Sequence, residues 1–474
     1  MSAVGAPTAV RLSRAALIAQ GVRGEPAPVR IVHLGLGAFA RAHQAWYTAQ
    51  VDDDREWGIA AFTGRSAAVA EQLTPQDGLF CVLERSADHD DVAVVGSVVE
   101  VHDGSEMRRL VELIAAPTTA IVTLTMTEPG YRLLAGGSPD LGDASVADDL
   151  RLLEGCLRHP DAEVDAARHW PTTALGRLVL GLIARSRSGA GPIAVVPCDN
   201  MPDNGPFVGR GVVELARAVD PAAAAWIEQN VSFVSTSVDR ITPRTTPDDV
   251  AAVTALSGWT DAAPVVTEPF HDWILSGAFP AGRPPWERAG ARFVDDIVPF
   301  ERRKLWLLNG AHSLIAYAGV ARGHRSVAEG VADPVIRDAV IRLWDEASRH
   351  LPADLLDIER YRRDLLRRFE NARIEHRLSQ IALEGVTKLR VRIVPVASAE
   401  RAAGRSAAGC AVPLGAWIAL VVSGREPADA YQDAVSVAAA EADPVRALLA
   451  LLSPDLSDDD GFVETVRAVV LELS

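Results

Sequence analysis

Residues 301–313 combine an apolar helix pattern with four side chains that can take part in chemistry. These are a carboxylate, an amine, an amide and an imidazole, from Glu301, Lys304, Asn309 and His312. At about 100° per residue, the four share less than half of a helical wheel, in an arc that also holds two leucines. A helix that is apolar on nearly every side is buried, and buried polar groups are costly unless they are satisfied. Each residue alone could be a hydrogen-bonded core residue, but the four together predict a reaction site.

A glycine-rich turn in the N-terminal half offers a second site. An apolar run at residues 29–34 predicts a buried strand, and it leads directly into Gly35-Leu36-Gly37-Ala38-Phe39-Ala40. In this G-x-G-x-x-A pattern Gly35 permits a tight turn, Gly37 lets backbone amides approach a pyrophosphate, and the following helix favours the anion. The pattern predicts a dinucleotide site at Gly35, Gly37, Ala38 and Phe39, with an ordinary glycine-rich turn as the alternative.

The residues after two further strands bear on which dinucleotide is bound. The second strand, at residues 57–62, leads into Thr63-Gly64-Arg65-Ser66, where an NAD site usually has an acidic residue that holds the ribose. Arg65 could accommodate a 2′-phosphate or could be a surface cation, so we expect NAD and keep NADP open. Another strand, at residues 120–125, ends at Thr125 and leads to Glu128. Because ligands lie outside the carboxyl ends of such strands, these two residues are candidate cofactor contacts.

The remaining pattern predicts two domains of different architecture. Strands at 193–197 and 231–238 end in polar segments that contain Asn200 and Asp239, and helices alternate with the strands. Residues 80–84 and 92–101 resemble a hairpin insertion, and residues 265–270 the final strand. Beyond residue 297 apolar residues recur at helical spacing, with residues 391–396 as the lone strand-like exception. We therefore predict an α/β, Rossmann-like domain with a mostly parallel sheet at 1–290 and a mainly α-helical domain at 291–474.

Composition excludes several classes of function. A length of 474 residues is too great for one ordinary core, and a net charge of −16 argues against binding of nucleic acid or of an anionic membrane surface. We see no signal peptide and no membrane span. The four cysteines are scattered, with no Cys-x-x-Cys pair, and there is no His-Glu-x-x-His pattern. We therefore expect a cytoplasmic protein without a metal site.

Five blocks of sequence resemble the polyol-specific long-chain dehydrogenases, of the mannitol 2-dehydrogenase and fructuronate reductase type. The blocks are residues 33–43, Cys198-Asp199-Asn200, residues 238–243, Thr267-Glu268-Pro269-Phe270 and residues 304–313. The last of them, Lys-x-x-x-x-Asn-x-x-His, is the most specific. The resemblance implies a metal-independent, NAD(P)-dependent enzyme that interconverts a secondary alcohol of a sugar alcohol or aldonate with a ketone or ketouronate. We expect a monomer or a small homo-oligomer.

The same resemblance implies roles for individual residues. Lys304 would be the general base, Asn200 and Asn309 would hold the substrate oxygen, and His312 would position a substrate hydroxyl. Asp239 would orient Lys304, and Glu301 would connect the base to solvent. Burial lowers the pKa of a lysine whereas the two carboxylates raise it, and the sequence leaves the balance open. Arg373 and Lys388 match a substrate-contacting segment, with solvated helix-end cations as the alternative.

One position departs from the family pattern, and two other functions stay open. Trp306 stands where the family commonly has arginine, which indicates altered packing or a shifted pocket. One alternative is an inactive NAD(P)-binding redox sensor, for which a base would be unnecessary. The other is a related two-domain dehydrogenase of hydroxyacids or sugar phosphates. The sequence leaves open the exact substrate and the direction of flux.

Overall fold

The computed structural model describes residues 9–22, 24–64, 66–158, 169–374, 376–425 and 427–473. The chain divides into two compact units, one formed by Met1–Arg85 and His89–Ile297, the other by Ser86–Asp88 and Val298–Ser474. No helix among the described residues is both long enough and apolar enough to cross a membrane.

The first unit contains every strand of the described chain. The strands are β1 (Val10–Arg11), β2 (Val29–Leu34), β3 (Gly58–Phe62), β4 (Phe80–Arg85), β5 (Asp90–Val95), β6 (Val98–His102), β7 (Ile121–Leu124), β8 (Ile193–Pro197), β9 (Val231–Phe233), β10 (Ser235–Asp239), β11 (Trp259–Thr260), β12 (Val265–Thr267), β13 (Asp272–Ser276) and β14 (Arg292–Phe293). Its α-helices are α1 (Arg14–Ala19), α2 (Ala38–Ala40), α3 (Trp46–Val51), α4 (Ala68–Leu73), α5 (Met107–Ala115), α6 (Ala144–Arg158), α7 (Ala174–Ser188), α8 (Asn204–Val219), α9 (Pro221–Asn230) and α10 (Pro247–Ser257). A π-helical segment, Arg41–Ala45, joins α2 to α3, and short 3₁₀ helices lie at Thr74–Gln76, Glu128–Tyr131 and Trp286–Ala289.

Six of these strands form the parallel sheet that the sequence predicts. Their order is β6-β3-β2-β7-β8-β9, so the direction of strand succession reverses between β2 and β7. Alternate residues of β2 enter different cores: Val32 and Leu34 pack with α5, α7 and α8, whereas Ile31 packs with the helix that follows the glycine turn. Burial on both faces explains why the strands are apolar runs without polar alternation. In such sheets the reversal point is where ligands bind.

Several boundaries in this unit differ from the prediction. The hairpin exists as β4 and β5, but the predicted second strand, 92–101, is two strands, and β6 joins the main sheet. The predicted strand 231–238 is also two: β9 ends the main sheet, and β10 pairs antiparallel with β13. Because β13 and β14 follow β12, residues 265–270 are not the final strand. Apolar runs show that strands exist, but not where the chain changes sheets.

The second unit contains helices and no strand among its described residues. Its α-helices are α11 (Val298–Arg303), α12 (Gly310–Ala321), α13 (Val327–Ala332), α14 (Pro334–Ser348), α15 (Ala353–Leu356), α16 (Ile358–Glu370), α17 (Leu378–Ile381), α18 (Gly385–Arg392), α19 (Val394–Ala402), α20 (Ala408–Val422), α21 (Gln432–Ala439), α22 (Pro444–Leu452), α23 (Pro454–Ser457) and α24 (Asp460–Leu473), with a π-helical turn, Lys304–Asn309, between α11 and α12. The strand predicted at 391–396 is wrong, since these residues span the end of α18 and the start of α19, with Ile393 between the two helices. Leu389, Ile393 and Val396 are buried at helical spacing, and this packing overrides the β-branched composition.

Candidate active site

The two glycines of the N-terminal turn are needed for different reasons. Gly35 has a φ of 102°, and a Cβ there would overlap the carbonyl oxygen of Thr125, so the fold itself requires glycine. Gly37 precedes the helix with φ −126° and ψ −172°, a conformation open to any residue. A Cβ at Gly37 would meet no atom nearer than 3.7 Å, the Gly35 carbonyl oxygen. Packing within the described residues therefore gives no reason for glycine at 37, and they leave the position of a Cβ there unfilled.

A buried histidine supports the glycine turn through hydrogen bonds with two threonines. His33 Nδ1 lies 2.8 Å from Thr123 Oγ1, and His33 Nε2 lies 3.2 Å from Thr125 Oγ1. Thr125 gives its single hydroxyl proton to the Gly35 carbonyl oxygen at 2.7 Å, so Nε2 of His33 must be the protonated nitrogen. Burial lowers the pKa of His33 to about 4, which keeps the ring neutral. Thr125, predicted as a cofactor contact, thus supports the turn with its hydroxyl.

The remaining predicted cofactor residues are Ala38, Phe39, Glu128 and Arg65. Ala38 and Phe39 begin the helix and are partly buried, and the Phe39 ring stacks on His43 with 5.0 Å between centroids. Glu128 is exposed at the start of a 3₁₀ helix. Arg65 lies outside the described residues.

Asn200 lies in a loop that its neighbours hold tightly. Asp199 accepts hydrogen bonds from the Tyr131 hydroxyl at 2.6 Å and from Asn204 Nδ2 at 3.0 Å. The Oδ1 atom of Asn204 in turn accepts from the Thr236 amide of β10 at 2.8 Å. Asn200 itself is exposed just beyond β8. The Asp199–Asn204 pair therefore links the carboxyl end of β8 to β10, the strand that ends at Asp239.

Asp239 is buried at the end of β10, opposite Asp272 of β13. The next residue, Arg240, is also buried, and its guanidinium donates to the Ala42 carbonyl oxygen at 2.6 Å and pairs with Glu84 at 2.5 Å. The same group lies 4.4 Å from the centroid of the Trp46 ring. Arg240 thereby ties the end of β10 to the helix that follows the glycine turn.

In the second unit the four residues of the 301–313 stretch share one helix whose geometry differs from the prediction. The wheel assumed an α-helix, but Lys304–Asn309 is a π-helical turn, in which hydrogen bonds join residues five apart. The wider turn carries Asn309 back towards the side of the helix on which Lys304 lies. Glu301, Lys304, Leu305 and Asn309 are partly exposed, whereas Trp306, Leu307 and Leu308 are buried. The open strip therefore carries the carboxylate, the amine and the amide together.

His312 is buried among aromatic and basic side chains. Its ring contacts Phe369 and His376, each with 4.9 Å between centroids, and its Nε2 atom has no hydrogen-bond partner among the described residues. Burial lowers the pKa of His312 well below its ordinary value, and nearby basic side chains, including His376 and Arg368, lower it further. The imidazole is therefore neutral and can give or accept one hydrogen bond to a ligand.

Trp306, the departure from the family pattern, is 8% exposed and lies on the packed side of the helix, with the Arg302 guanidinium 5.7 Å from its ring. This position lies away from the open strip. Of the two predicted substrate cations, Arg373 is exposed. Lys388 is half-buried and donates to the Ile381 carbonyl oxygen at 3.0 Å, and burial lowers its pKa to about 8.

Four supporting residues received no role from the sequence: His33, Asp199, Arg240 and Arg392. Three of them stand inside the motif blocks, so adjacency to a predicted site residue was an available signal. Arg392 was given no role because residues 391–396 were predicted as a strand, whereas Arg392 ends helix α18. It donates to the Asn309 carbonyl oxygen at 3.3 Å and to Ser313 Oγ at 3.2 Å.

Among the described residues no group of three His, Cys, Asp or Glu side chains could hold a metal ion.

Models of one family match nearly the whole chain. The mannitol dehydrogenase Rossmann domain matches residues 29–288, and the mannitol dehydrogenase C-terminal domain matches residues 296–474. The chain belongs to the mannitol dehydrogenase family. The predicted family resemblance is therefore confirmed, and so is the predicted fold class.

Individual members of the mannitol dehydrogenase family are similar over most of the chain. D-mannonate oxidoreductase of Escherichia coli (strain K12) is 36% identical, covering 94% of this chain and 93% of its own. The ternary complex of Pseudomonas fluorescens mannitol 2-dehydrogenase with NAD and D-mannitol superimposes with a TM-score of 0.79 at 29% identity, covering 99% of this chain and 94% of that one. Substrate-free D-sorbitol dehydrogenase gives a TM-score of 0.83 at 28% identity, covering 94% and 92%.

Proposed function

We propose that this chain is an NAD-dependent oxidoreductase that interconverts a secondary alcohol of a sugar alcohol or aldonate with the corresponding ketone. The observation that carries the proposal is the open strip of the 301–313 helix, where the π-helical turn presents Lys304 and Asn309 together. The mannonate oxidoreductase and the complex with NAD and D-mannitol support the reaction class and the cofactor. The extent of similarity to the mannonate enzyme favours an aldonate as the first substrate to test.

The glycine turn fits a dinucleotide because no described residue fills the position of a Cβ at Gly37, whereas contact with Thr125 allows only glycine at position 35. Gly35, Gly37, Ala38 and Phe39 would hold the pyrophosphate, and Thr125 would keep the turn in shape. Glu128 and Arg65 are further candidate contacts, and Arg65 keeps NADP possible. Bound NAD supplies the hydride acceptor.

The chain's own task is to remove the hydroxyl proton and to stabilise the oxygen as its charge develops. Lys304 in its neutral form takes the proton, a role that typically contributes about 10²- to 10⁴-fold. The family resemblance assigns the amides of Asn309 and Asn200 to this oxygen, and losing one such donor would cost roughly 3–4 kcal/mol. By the same resemblance, Asp239 would orient Lys304, and Glu301 would pass the proton on to solvent.

The remaining candidates act on the rest of the substrate. His312 is neutral, and its Nε2 atom, which has no hydrogen-bond partner among the described residues, suits a hydrogen bond with a substrate hydroxyl. Arg373 and Lys388 are proposed contacts for further hydroxyls or for a carboxylate. No metal takes part in these roles. A monomeric or small homo-oligomeric state and a cytoplasmic location stay predictions.

One assay matrix tests the proposed function. Mannonate, mannitol, arabinitol and sorbitol are each offered with NAD and with NADP, and fructuronate and fructose with the reduced cofactors. We expect formation of reduced nicotinamide with NAD and at least one polyol or aldonate. Tight NAD binding without turnover on any substrate would favour the redox sensor instead. Turnover confined to added hydroxyacids or sugar phosphates would favour the related dehydrogenase class.

A further inference from the structure

The π-helical turn at Lys304–Asn309 needs support from outside its own helix. Such turns are rare single-turn insertions in α-helices and occur frequently at functional sites. Unusual local backbone persists only where the surrounding structure determines it. The turn is continuous with α11 and α12, both regular α-helices, so the sequence on either side would favour ordinary α geometry through it.

Two side chains from other helices bind carbonyl oxygens of this turn. Trp344, in α14 and 1% exposed, donates from Nε1 to the Leu307 carbonyl oxygen at 2.8 Å. Arg392, at the end of α18, donates to the Asn309 carbonyl oxygen at 3.3 Å and to Ser313 Oγ at 3.2 Å. A carbonyl held by a side chain is fixed in direction, so these contacts set the path of the turn.

Trp344 also reaches the imidazole. Its ring stacks on Phe369, with 6.3 Å between centroids and 29° between planes, and Phe369 contacts His312 at 4.9 Å. One indole therefore supports both the backbone that carries Asn309 and the ring that packs against His312.

We propose that Trp344 and Arg392 are positioning residues that hold the π-helical turn, and thereby keep Asn309 on the same side of the helix as Lys304. In an α-helix the two residues would lie about 140° apart, and one amide would leave the strip. The proposal rests on the proposed function, in which both residues act on one substrate oxygen. Neither Trp344 nor Arg392 needs to touch the substrate.

The test is a double-mutant cycle that measures kcat and the KM for NAD. Trp344→Phe keeps an aromatic ring but loses the indole N–H and its neutral hydrogen bond, so we expect kcat to fall about tenfold with the KM for NAD unchanged. In an Asn309→Ala background the same substitution should cost nothing further, because the displaced amide is already gone. Arg392→Met should lower kcat more than Arg392→Lys, which retains a donor. Trp417→Phe, another buried tryptophan of the same unit, is the matched control with unchanged kcat.

Two results would overturn the proposal. Equal losses of kcat from Trp344→Phe in both backgrounds would show that the indole does not act through Asn309. A crystal structure of Trp344→Phe, alone and with Arg392→Met, provides a measurement independent of activity. We expect the hydrogen bonds of residues 304–309 to revert to an α-helical pattern. An unchanged π-helical turn in the double variant would refute the proposal that Trp344 and Arg392 hold it. Failure of the wild-type chain in the assay matrix would refute the proposed function while leaving this structural test intact.

Discussion

Replacing Gly37 with alanine should separate stability from cofactor binding. The backbone at Gly37 suits any residue, and the new Cβ would meet no atom of the described residues nearer than 3.7 Å. Substituting glycine by alanine at an unstrained position stabilises by about 0.4–1 kcal/mol, through the unfolded chain. The first unit should therefore melt about 1–3 °C higher. The methyl group would occupy the space through which a pyrophosphate must approach.

The expected loss of NAD affinity follows from overpacking. An extra methyl in a close contact typically costs about 1–3 kcal/mol, which corresponds to a roughly 5- to 150-fold higher Kd. Calorimetric titration with NAD measures the affinity, and thermal melting of the same samples measures the stability.

Gly35→Ala is the matched control for this prediction. Its φ of 102° and the overlap with the Thr125 carbonyl oxygen should destabilise the first unit before any ligand is added. An unchanged Kd for NAD in Gly37→Ala, at unchanged or raised stability, would refute the assignment of Gly37 to the pyrophosphate.

Three further predictions follow from the same geometry. Thr125→Val removes the hydroxyl that donates to the Gly35 carbonyl oxygen, so the KM for NAD should rise about 5- to 10-fold with little change in kcat. The control Thr127→Val, at an exposed position, should leave both constants unchanged. Equal effects of the two substitutions would refute the role of Thr125 in supporting the turn. The folded-state pKa of His33, about 4, lies below its ordinary 6.5, so its contribution to stability is present above pH 6.5 and is lost, by about 3 kcal/mol, as the pH falls to 4. Denaturant titrations should show a smaller acid loss in His33→Gln, and an identical loss would contradict a neutral, buried ring. Dialysis against EDTA should leave kcat unchanged, because proton removal is assigned to Lys304; a loss restored by zinc would refute that assignment.

The sheet and the glycine turn could be predicted because their signals are local. Buried parallel strands read as apolar runs, and the sequence of the turn contains both glycines whose roles differ in three dimensions. The role of His33 could not be predicted, because its partners Thr123 and Thr125 are about 90 residues away and only the parallel register brings them together.

On the 301–313 helix the residue types could be predicted from the sequence, but the backbone geometry and the supporting contacts could not. The identities of Lys304, Asn309 and His312 were visible, and so was their shared arc. The π-helical turn was not visible, because a helical wheel assumes one constant angle per residue and no proline in this stretch indicates a change in that angle. Arg392 was missed because Val391, Ile393 and Val396 suggested a strand, whereas packing of Leu389 and Ile393 makes these residues helical. Contacts distant in sequence decide both features.

The central claim is that Lys304 is the base, and the single-turnover rate of Lys304→Ala tests it most directly. The variant is saturated with NAD and mixed with the best substrate from the assay matrix, with Arg302→Ala, an exposed neighbour, as the control. We predict a rate about 10²- to 10⁴-fold below wild type, an unchanged Kd for NAD, and partial recovery with an added primary amine. A rate within tenfold of wild type, at unchanged NAD affinity, would contradict the account.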